Sequence, residues 1–232
     1  KYGFHGASLS YVNSRIRELS KTSCEKLIIC HLGGSSSICA VKNGMSVDTS
    51  MGFSPQAGIL MNNRIGDIDT FILPYVLKRS GRNITDLFDD MVTHAGLKGV
   101  SGSSGDMRDL EFERLDSPRA DLALNMFSYM VKKYIGSYSA VLNGLDTLIF
   151  SGGIGEKSSY LRSEICSQMS FLGIELDQDI NRSCYAEESL ISTAKSQVEV
   201  YVIPTNEEVV IARNCWQLLN KSDAGCISQK RD

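Results

Sequence analysis

Three short segments of the sequence contain residue types that can bind a phosphorylated ligand. Two of them are rich in glycine and follow predicted strands, the position at which open α/β sheets bind ligands. The third places an acid and a base two positions apart in a loop rich in glycine and serine. Their candidate residues are His31, Leu32, Gly33, Gly34 and Ser35 in the first segment, Gly153, Ile154, Gly155, Glu156 and Lys157 in the second, and Asp106, Met107 and Arg108 in the third. Glycines let backbone N–H groups approach an anion, and arginine stacks on planar rings, so these segments favour a nucleotide site.

Each segment also has an ordinary structural interpretation. Gly33 and Gly34 could form a plain β-turn, and Asp106 with Arg108 could be a surface ion pair, which adds little stability. The segment that begins at Gly153 lacks both the Gly-Lys-Ser/Thr ending of a P-loop and a full G-x-G-x-x-G pattern. His31 ends a predicted buried strand, which favours a structural role for that side chain. None of the segments is decisive alone.

Three further polar residues could carry chemistry. His5 stands just before a predicted helix and could donate to a developing anion. Arg64 offers a planar fork of donors that suits phosphoryl or carboxylate oxygens, although it could instead pair with a nearby aspartate. Glu207 begins the last predicted helix, where an acid suits the helix dipole but could also bind Mg²⁺.

Composition limits the possible functions. The chain has 232 residues, 42% of them hydrophobic, which is enough for a full core. Its net charge of −3 gives no reason to expect nucleic acid or an anionic membrane as a partner. No apolar run approaches the roughly 20 residues of a membrane span, so we expect no membrane association. Seven cysteines without metal-ligand spacing predict reduced core thiols and a cytoplasmic protein.

Apolar periodicity predicts the elements that position these residues. A helix over 7–19 precedes a buried strand over 26–32, and strands over 36–41 and 45–49 flank an Asn-Gly hairpin signal. After a loop over 52–67, the remaining predictions are helices over 68–78, 84–92, 119–142, 158–169 and 206–219, strands over 147–150 and 198–203, and a loop over 101–109. This βββαβαβα order predicts an α/β fold with a mixed sheet and helices on both faces.

A set of motifs in this order resembles the acetate kinase family along nearly the whole chain. The motifs are Lys-Tyr-Gly-Phe-His-Gly at 1–6, His-Leu-Gly at 31–33, Ser-Val-Asp-Thr-Ser-Met-Gly-Phe at 46–53, Arg-Ile-Gly-Asp-Ile-Asp at 64–69, Asp-Met-Arg-Asp-Leu at 106–110, Gly-Gly-Ile-Gly-Glu at 152–156 and Pro-Thr-Asn-Glu-Glu at 204–208. The motif at 46–53 and the motif at 204–208 are highly specific. The resemblance therefore identifies the chain as similar to that family.

The resemblance implies an actin-like ATPase (ribonuclease H-like) fold and phosphoryl transfer between ATP and a short carboxylate such as acetate or propionate. It implies that His5 and Arg64 stabilise the transition state, that Glu207 belongs to the Mg²⁺ site, and that the three segments above bind ATP or ADP. It further implies direct in-line transfer that forms an acyl phosphate, and a homodimer formed through this part of the enzyme. We expect residues 1–232 to be the C-terminal nucleotide-binding domain, with the N-terminal domain absent and the isolated chain inactive.

Several positions depart from the family pattern. The segment that usually reads His-Leu-Gly-Asn-Gly here reads His31-Leu32-Gly33-Gly34-Ser35, and Lys157 replaces an asparagine. Leu9 replaces a second histidine, and Asn62-Asn63 replaces Gly-Thr. The changes at Gly34, Ser35 and Lys157 leave open which phosphodonor is used, and the identity of the carboxylate depends on a pocket that the resemblance places largely in the N-terminal domain. A non-catalytic nucleotide-binding module and a kinase of the same fold for another substrate remain the alternatives.

Overall fold

The computed structural model describes residues 1–20 and 22–227, with side chains described up to residue 220. Its strands are β1 (Lys26–His31), β2 (Ser37–Lys42), β3 (Met45–Thr49), β4 (Thr147–Ser151), β5 (Ser189–Leu190) and β6 (Glu199–Val202). Its helices are α1 (Gly6–Leu19), α2 (Ile72–Ser80), α3 (Ile84–Thr93), α4 (Gly96–Ser101), α5 (Met107–Glu113), α6 (Pro118–Leu142), α7 (Gly152–Lys157), α8 (Ser159–Cys166), α9 (Gln178–Ser183) and α10 (Glu207–Ile227). A short 3₁₀ turn covers Ser170–Leu172.

The strands form one mixed sheet in the order β3-β2-β1-β4-β6-β5. β1 and β6 are both parallel to β4, whereas β2, β3 and β5 pair antiparallel with their neighbours. The Asn-Gly signal is confirmed, because Asn43 and Gly44 both have positive φ, at 51° and 82°, between β2 and β3. These parallel and antiparallel pairings confirm the mixed sheet that the sequence predicts.

Helices cover both faces of the sheet. Along β1, Ile28 and Cys30 belong to one apolar core with α6 and α8, whereas Leu27 and Ile29 belong to a second core with α1. Successive strand residues face opposite sides of a sheet, so both sides of this strand are buried. This confirms the prediction of a buried strand over 26–32, although the strand ends at His31, one residue earlier than predicted.

Local polar contacts move several predicted boundaries. The helix predicted from residue 68 begins at Ile72, because Asp69 first accepts from the Phe71 N–H at 2.9 Å in a turn. The prediction of a loop over 101–109 was wrong at its end, since Asp106 caps α5 and Met107 and Arg108 are helical. The segment after β4 is also a helix, α7, rather than a loop. Sequence periodicity missed α4, α9 and β5, which are too short to show a repeat.

Most of the described cysteines are core residues, as predicted. Cys30, Cys39, Cys166 and Cys184 are buried, Cys24 is partly exposed and Cys215 is exposed. None of these six forms a disulfide, and Cys226 lies outside the described side chains. Within 1–20 and 22–227, we find no helix with the length and apolar character of a membrane span.

Arg162 is a charged residue at the centre of the core, with 0% of its surface exposed. Its guanidinium donates to the carbonyls of Gly155 and Glu156 at the end of α7, at 2.9 and 3.0 Å. It also donates to both oxygens of Asn181 and to the carbonyl of Cys184. Burial lowers the pKa of Arg162, and the five hydrogen bonds compensate its loss of hydration.

We expect Arg162→Met to destabilise the fold by about 3 kcal/mol, because five buried acceptors lose their donor. Urea unfolding monitored by circular dichroism measures this loss. The matched control is Arg182→Met, which removes an exposed arginine paired with Asp179 and should change stability by less than about 1 kcal/mol. Equal effects of the two substitutions would contradict this role for Arg162.

Candidate functional site

The two glycine-rich segments meet where the carboxyl ends of β1 and β4 lie side by side. The Leu32 carbonyl accepts from the N–H groups of Ile154 and Gly155, at 2.8 and 3.2 Å, and the Leu32 N–H donates to Ser151. Gly152 has φ 76°, and a Cβ there would stand 2.6 Å from the Leu32 carbonyl oxygen. Only glycine fits this close approach, so the backbone itself joins the segments.

A cleft of about 520 Å³ opens beside this junction. The predicted residues that line it are Gly33, Gly34, Asp106, Met107, Arg108, Gly153, Ile154 and Lys157. All three predicted segments therefore contribute to one cleft. The space around the α-carbon of Gly153 is open, which leaves its backbone accessible to a ligand.

The other five predicted residues of these segments do not line the cleft and instead hold its walls. Leu32 is buried in the core, and Gly155 packs against Phe150. The Glu156 carboxylate is buried and accepts from the Thr205 N–H at 3.1 Å, which ties α7 to the start of α10. The remaining two contact the catalytic candidates: His31 stacks on the ring of His5, and Ser35 accepts from Arg64.

Four residues that the sequence analysis missed complete the lining: Asn62, Glu111, Ser158 and Tyr185. Asn62 stands two positions before Arg64, and Ser158 directly follows Lys157, so both adjoined recognised motifs. Glu111 and Tyr185 carried no signal in the sequence. Only the folded backbone brings α5 and the segment after α9 to this cleft.

Asp106 and Arg108 form the predicted pair, although they do so at a helix start. Asp106 accepts from the Arg108 backbone N–H at 2.9 Å and from its guanidinium at 2.6 Å. These bonds hold the pKa of the Asp106 carboxyl below its usual value. The pair therefore presents a carboxylate and a planar cation together at the cleft wall.

His5 lies next to the junction in an uncommon backbone conformation. It precedes α1 with φ 59°, in the left-handed region, and its ring stacks on that of His31 at a centroid distance of 4.1 Å. Ser37 Oγ lies 2.9 Å from Nδ1 of His5, and Ser8 Oγ lies 2.8 Å from Nδ1 of His31. The Ser37 and Ser8 hydroxyls and the stacked rings fix both imidazoles.

Arg64 and Glu207 act electrostatically on His5. Burial is the main cause of the lowered pKa of His5, while the Glu207 carboxylate raises it and the Arg64 guanidinium lowers it. Arg64 Nη1 donates to Ser35 Oγ at 2.9 Å and to the Pro55 carbonyl at 3.3 Å. The three catalytic and metal candidates therefore share one region beside the cleft.

The loop that carries Arg64 is held by a carboxylate. Asp67 Oδ1 accepts from the Gly58 N–H at 2.8 Å, and the Tyr134 hydroxyl on α6 donates to Asp67 Oδ2. These two hydrogen bonds hold the loop between β3 and α2 against α6.

Glu207 is an exposed carboxylate in the first turn of α10. Among the described residues, no three His, Cys, Asp or Glu side chains cluster as a metal cage. Mg²⁺ is usually held by one or two carboxylates together with substrate phosphates and water. A single carboxylate near the cleft fits that chemistry.

The acetokinase family model matches residues 1–213 of the chain. The chain belongs to the acetokinase family. It is 45% identical to the acetate kinase of Symbiobacterium thermophilum, with 94% of the chain and 56% of the relative covered. It is 46% identical to that of Helicobacter hepaticus, with 95% and 56% covered. The chain thus spans about half the length of the curated relatives it matches.

Solved structures agree. The acetate kinase of Porphyromonas gingivalis superposes with a TM-score of 0.90 at 37% identity, covering 94% of the chain and 56% of that structure. A propionate kinase from Francisella tularensis gives a TM-score of 0.84 at 37% identity, with 91% and 54% covered. The fold of this acetokinase-family chain is that of the actin-like ATPases, as the resemblance implied.

Several of the departures from the family pattern lie at the cleft or beside it. Gly34 and Lys157 line the cleft directly, while Ser35 instead binds Arg64. Ser35 therefore connects the first glycine segment to the candidate catalytic arginine.

His31 generates a pH-dependent stability. Burial, and then the neighbouring His5, lower the pKa of His31 to about 4, against 6.5 in an unfolded chain. Between these values the unfolded state binds the extra proton, so stability is full above pH 6.5 and falls as the pH drops towards 4. His5 acts in the same direction.

Between pH 7 and pH 4.5 we expect the free energy of unfolding of the wild type to fall by about 2 to 3 kcal/mol because of His31. In His31→Asn this contribution to the fall should be absent. Urea unfolding at the two pH values measures the difference. His94→Gln is the control, because His94 is exposed. A His31→Asn variant with an unchanged pH dependence would contradict the assignment.

Proposed function

We propose that this chain is the C-terminal nucleotide-binding domain of an enzyme that transfers a phosphoryl group between ATP and a short-chain carboxylate. The observation that carries the proposal is the single cleft lined by all three predicted segments, with Arg64 and His5 beside it. Acetate and propionate kinases among the relatives support a short carboxylate as the acceptor.

The nucleotide would occupy the cleft with its phosphates against Gly33, Gly34 and Gly153. The backbone is open at Gly153, and Lys157 adds a positive charge. Asp106 can accept from ribose hydroxyls, and the Arg108 guanidinium is planar and exposed.

The proposed reaction is an in-line displacement. A carboxylate oxygen forms a bond to the terminal phosphorus of ATP, the bond to the bridging oxygen breaks, and ADP leaves with that electron pair. Charge on the equatorial oxygens is stabilised by hydrogen bonds from Arg64 and His5. Arg64 would exchange its bond to Ser35 for one to the phosphoryl group, and the reverse reaction uses the same contacts.

Mg²⁺ would be held by Glu207, together with phosphate oxygens of the nucleotide. When bound, the ion neutralises charge on the phosphates. The Glu156–Thr205 hydrogen bond fixes the start of α10 and hence the position of Glu207.

The setting of the enzyme is part of the proposal. A homodimer through this domain is supported by exposed apolar side chains on and after α5, where Phe112 and Leu115 are 89% and 81% exposed. The buried, unpaired thiols support a cytoplasmic location. The carboxylate pocket and the remaining catalytic groups would come from an N-terminal domain, so we expect no turnover by the isolated chain.

Titration calorimetry of Mg-ADP into this chain tests the nucleotide site. We expect weak but measurable binding, and at least tenfold weaker binding by Asp106→Ala, which loses the carboxylate that orients Arg108. Asp109→Ala, on the same helix but outside the cleft lining, should bind like the wild type. Binding of pyrophosphate without ADP would point to another phosphodonor and would contradict the ATP assignment.

In the complete enzyme, we expect Arg64→Ala to lower kcat/KM by about 10² to 10³, corresponding to roughly 3 to 4 kcal/mol of transition-state stabilisation. Arg79→Ala, which removes an exposed arginine on α2, is the matched control. Acyl phosphate formation measured with hydroxylamine reports both rates. Near-normal turnover by Arg64→Ala would refute its catalytic role.

A further inference from the structure

His5 is held beside the cleft in a backbone conformation that residues with a side chain adopt only rarely. Its φ of 59° lies in the left-handed region, and its carbonyl accepts from the Leu9 N–H at 2.9 Å in the first turn of α1. The ring is partly buried and stacks on that of His31. Such a conformation persists only where the surroundings enforce it, so the ring has a fixed place before a ligand binds.

The Ser37 hydroxyl determines which ring nitrogen of His5 carries the proton. Ser37 is fully buried in β2, and its Oγ lies 2.9 Å from His5 Nδ1. Among the described residues, we find no other hydrogen-bond partner of this Oγ. A buried hydroxyl without an acceptor costs free energy, so the Ser37 O–H donates to Nδ1. Nδ1 then holds a lone pair, and the proton of the neutral ring is on Nε2.

Nε2 is the ring nitrogen of His5 that remains for a ligand, since it makes no hydrogen bond within the described part of the chain. The imidazole is neutral near pH 7, because burial and Arg64 lower its pKa more than Glu207 raises it. The stacked His31, with a pKa of about 4, is neutral as well. In the opposite tautomer, Nε2 would present a lone pair to a phosphoryl oxygen and repel it.

We propose that Ser37 is a positioning residue that holds His5 as its Nε2–H tautomer, so that an uncharged imidazole donates to the transferred phosphoryl group. The inference rests on the proposed function for the ligand, whereas the tautomer is a property of the chain alone. The two donors then differ in kind: Arg64 neutralises charge, and His5 supplies a directed hydrogen bond. An imidazolium near Arg64 would be repelled by it, and a neutral ring avoids that cost.

Nitrogen-15 NMR of the histidine-labelled chain at about pH 8 measures the tautomer, because an unprotonated ring nitrogen resonates far from a protonated one. The chain has three histidines, and His5→Gln identifies the signals of His5 by their loss. We expect wild-type His5 to be unprotonated at Nδ1 and protonated at Nε2. In Ser37→Ala, both signals should shift towards each other as the second tautomer becomes populated.

Ser8→Ala is the matched control for the spectrum. It also removes a fully buried hydroxyl, but this one lies 2.8 Å from Nδ1 of His31. It should shift the signals of His31 and leave the protonation of His5 unchanged. Thermal unfolding checks that each variant is folded. A proton on Nδ1 of wild-type His5, or equal changes at His5 in the two serine variants, would overturn the inference.

Kinetics of the complete enzyme test the consequence for catalysis. We expect Ser37→Ala to lower kcat about tenfold while the KM for ATP changes by less than about twofold, because His5 loses its fixed tautomer but not its place. Ser139→Ala, which removes a buried hydroxyl that donates to the Ile135 carbonyl within α6, should turn over like the wild type.

The kinetic outcomes separate this inference from the proposed function. An unchanged kcat in Ser37→Ala would overturn the positioning role of Ser37 and leave phosphoryl transfer intact. A wild-type complete enzyme that forms no acyl phosphate would instead refute the proposed function, while the tautomer of His5, which is measured without substrate, would stand.

Discussion

The backbone junction between the ends of β1 and β4 is the constraint on which the site depends. The carbonyl of Leu32 accepts hydrogen bonds from two N–H groups of α7. Gly152 lets the two backbone segments approach to a distance that any side chain would prevent. Both glycine segments therefore have fixed positions before a ligand binds. Preorganisation of this kind is what phosphoryl transfer requires, because its catalysis consists mainly of positioning and charge neutralisation.

Buried polar groups extend this constraint to more distant parts of the chain. Arg162 joins the end of α7 to the segment after α9, which brings Tyr185 to the cleft. Glu156 joins α7 to the start of α10 and so positions Glu207. Each group exchanges water for protein partners, which is favourable only when all of its hydrogen bonds are made. The cleft walls are thus supported by interactions that have no chemical role of their own.

The sequence predicted those elements that depend on residues close together in the chain, and it missed those that depend on distant contacts. The strand over 26–32, the Asn-Gly hairpin and the long α6 depend on apolar periodicity or local turn chemistry, and all three were predictable. The helical state of Met107, Arg108 and α7 was not predictable, because glycine and serine disfavour helices locally. Capping by Asp106 and the contact of α7 with Leu32 outweigh that preference.

The sequence alone determined the family, the mixed sheet with helices on both faces, and most of the residues that line the cleft, because glycines, charged pairs and periodic apolar residues act through neighbours close in the chain. Tertiary structure decided which of these residues face the cleft and which support it. It placed Glu156 on Thr205, Ser35 on Arg64, and Glu111 with Tyr185 at the cleft wall. Contacts between residues tens of positions apart depend on how the sheet and helices pack, and no local pattern encodes that packing.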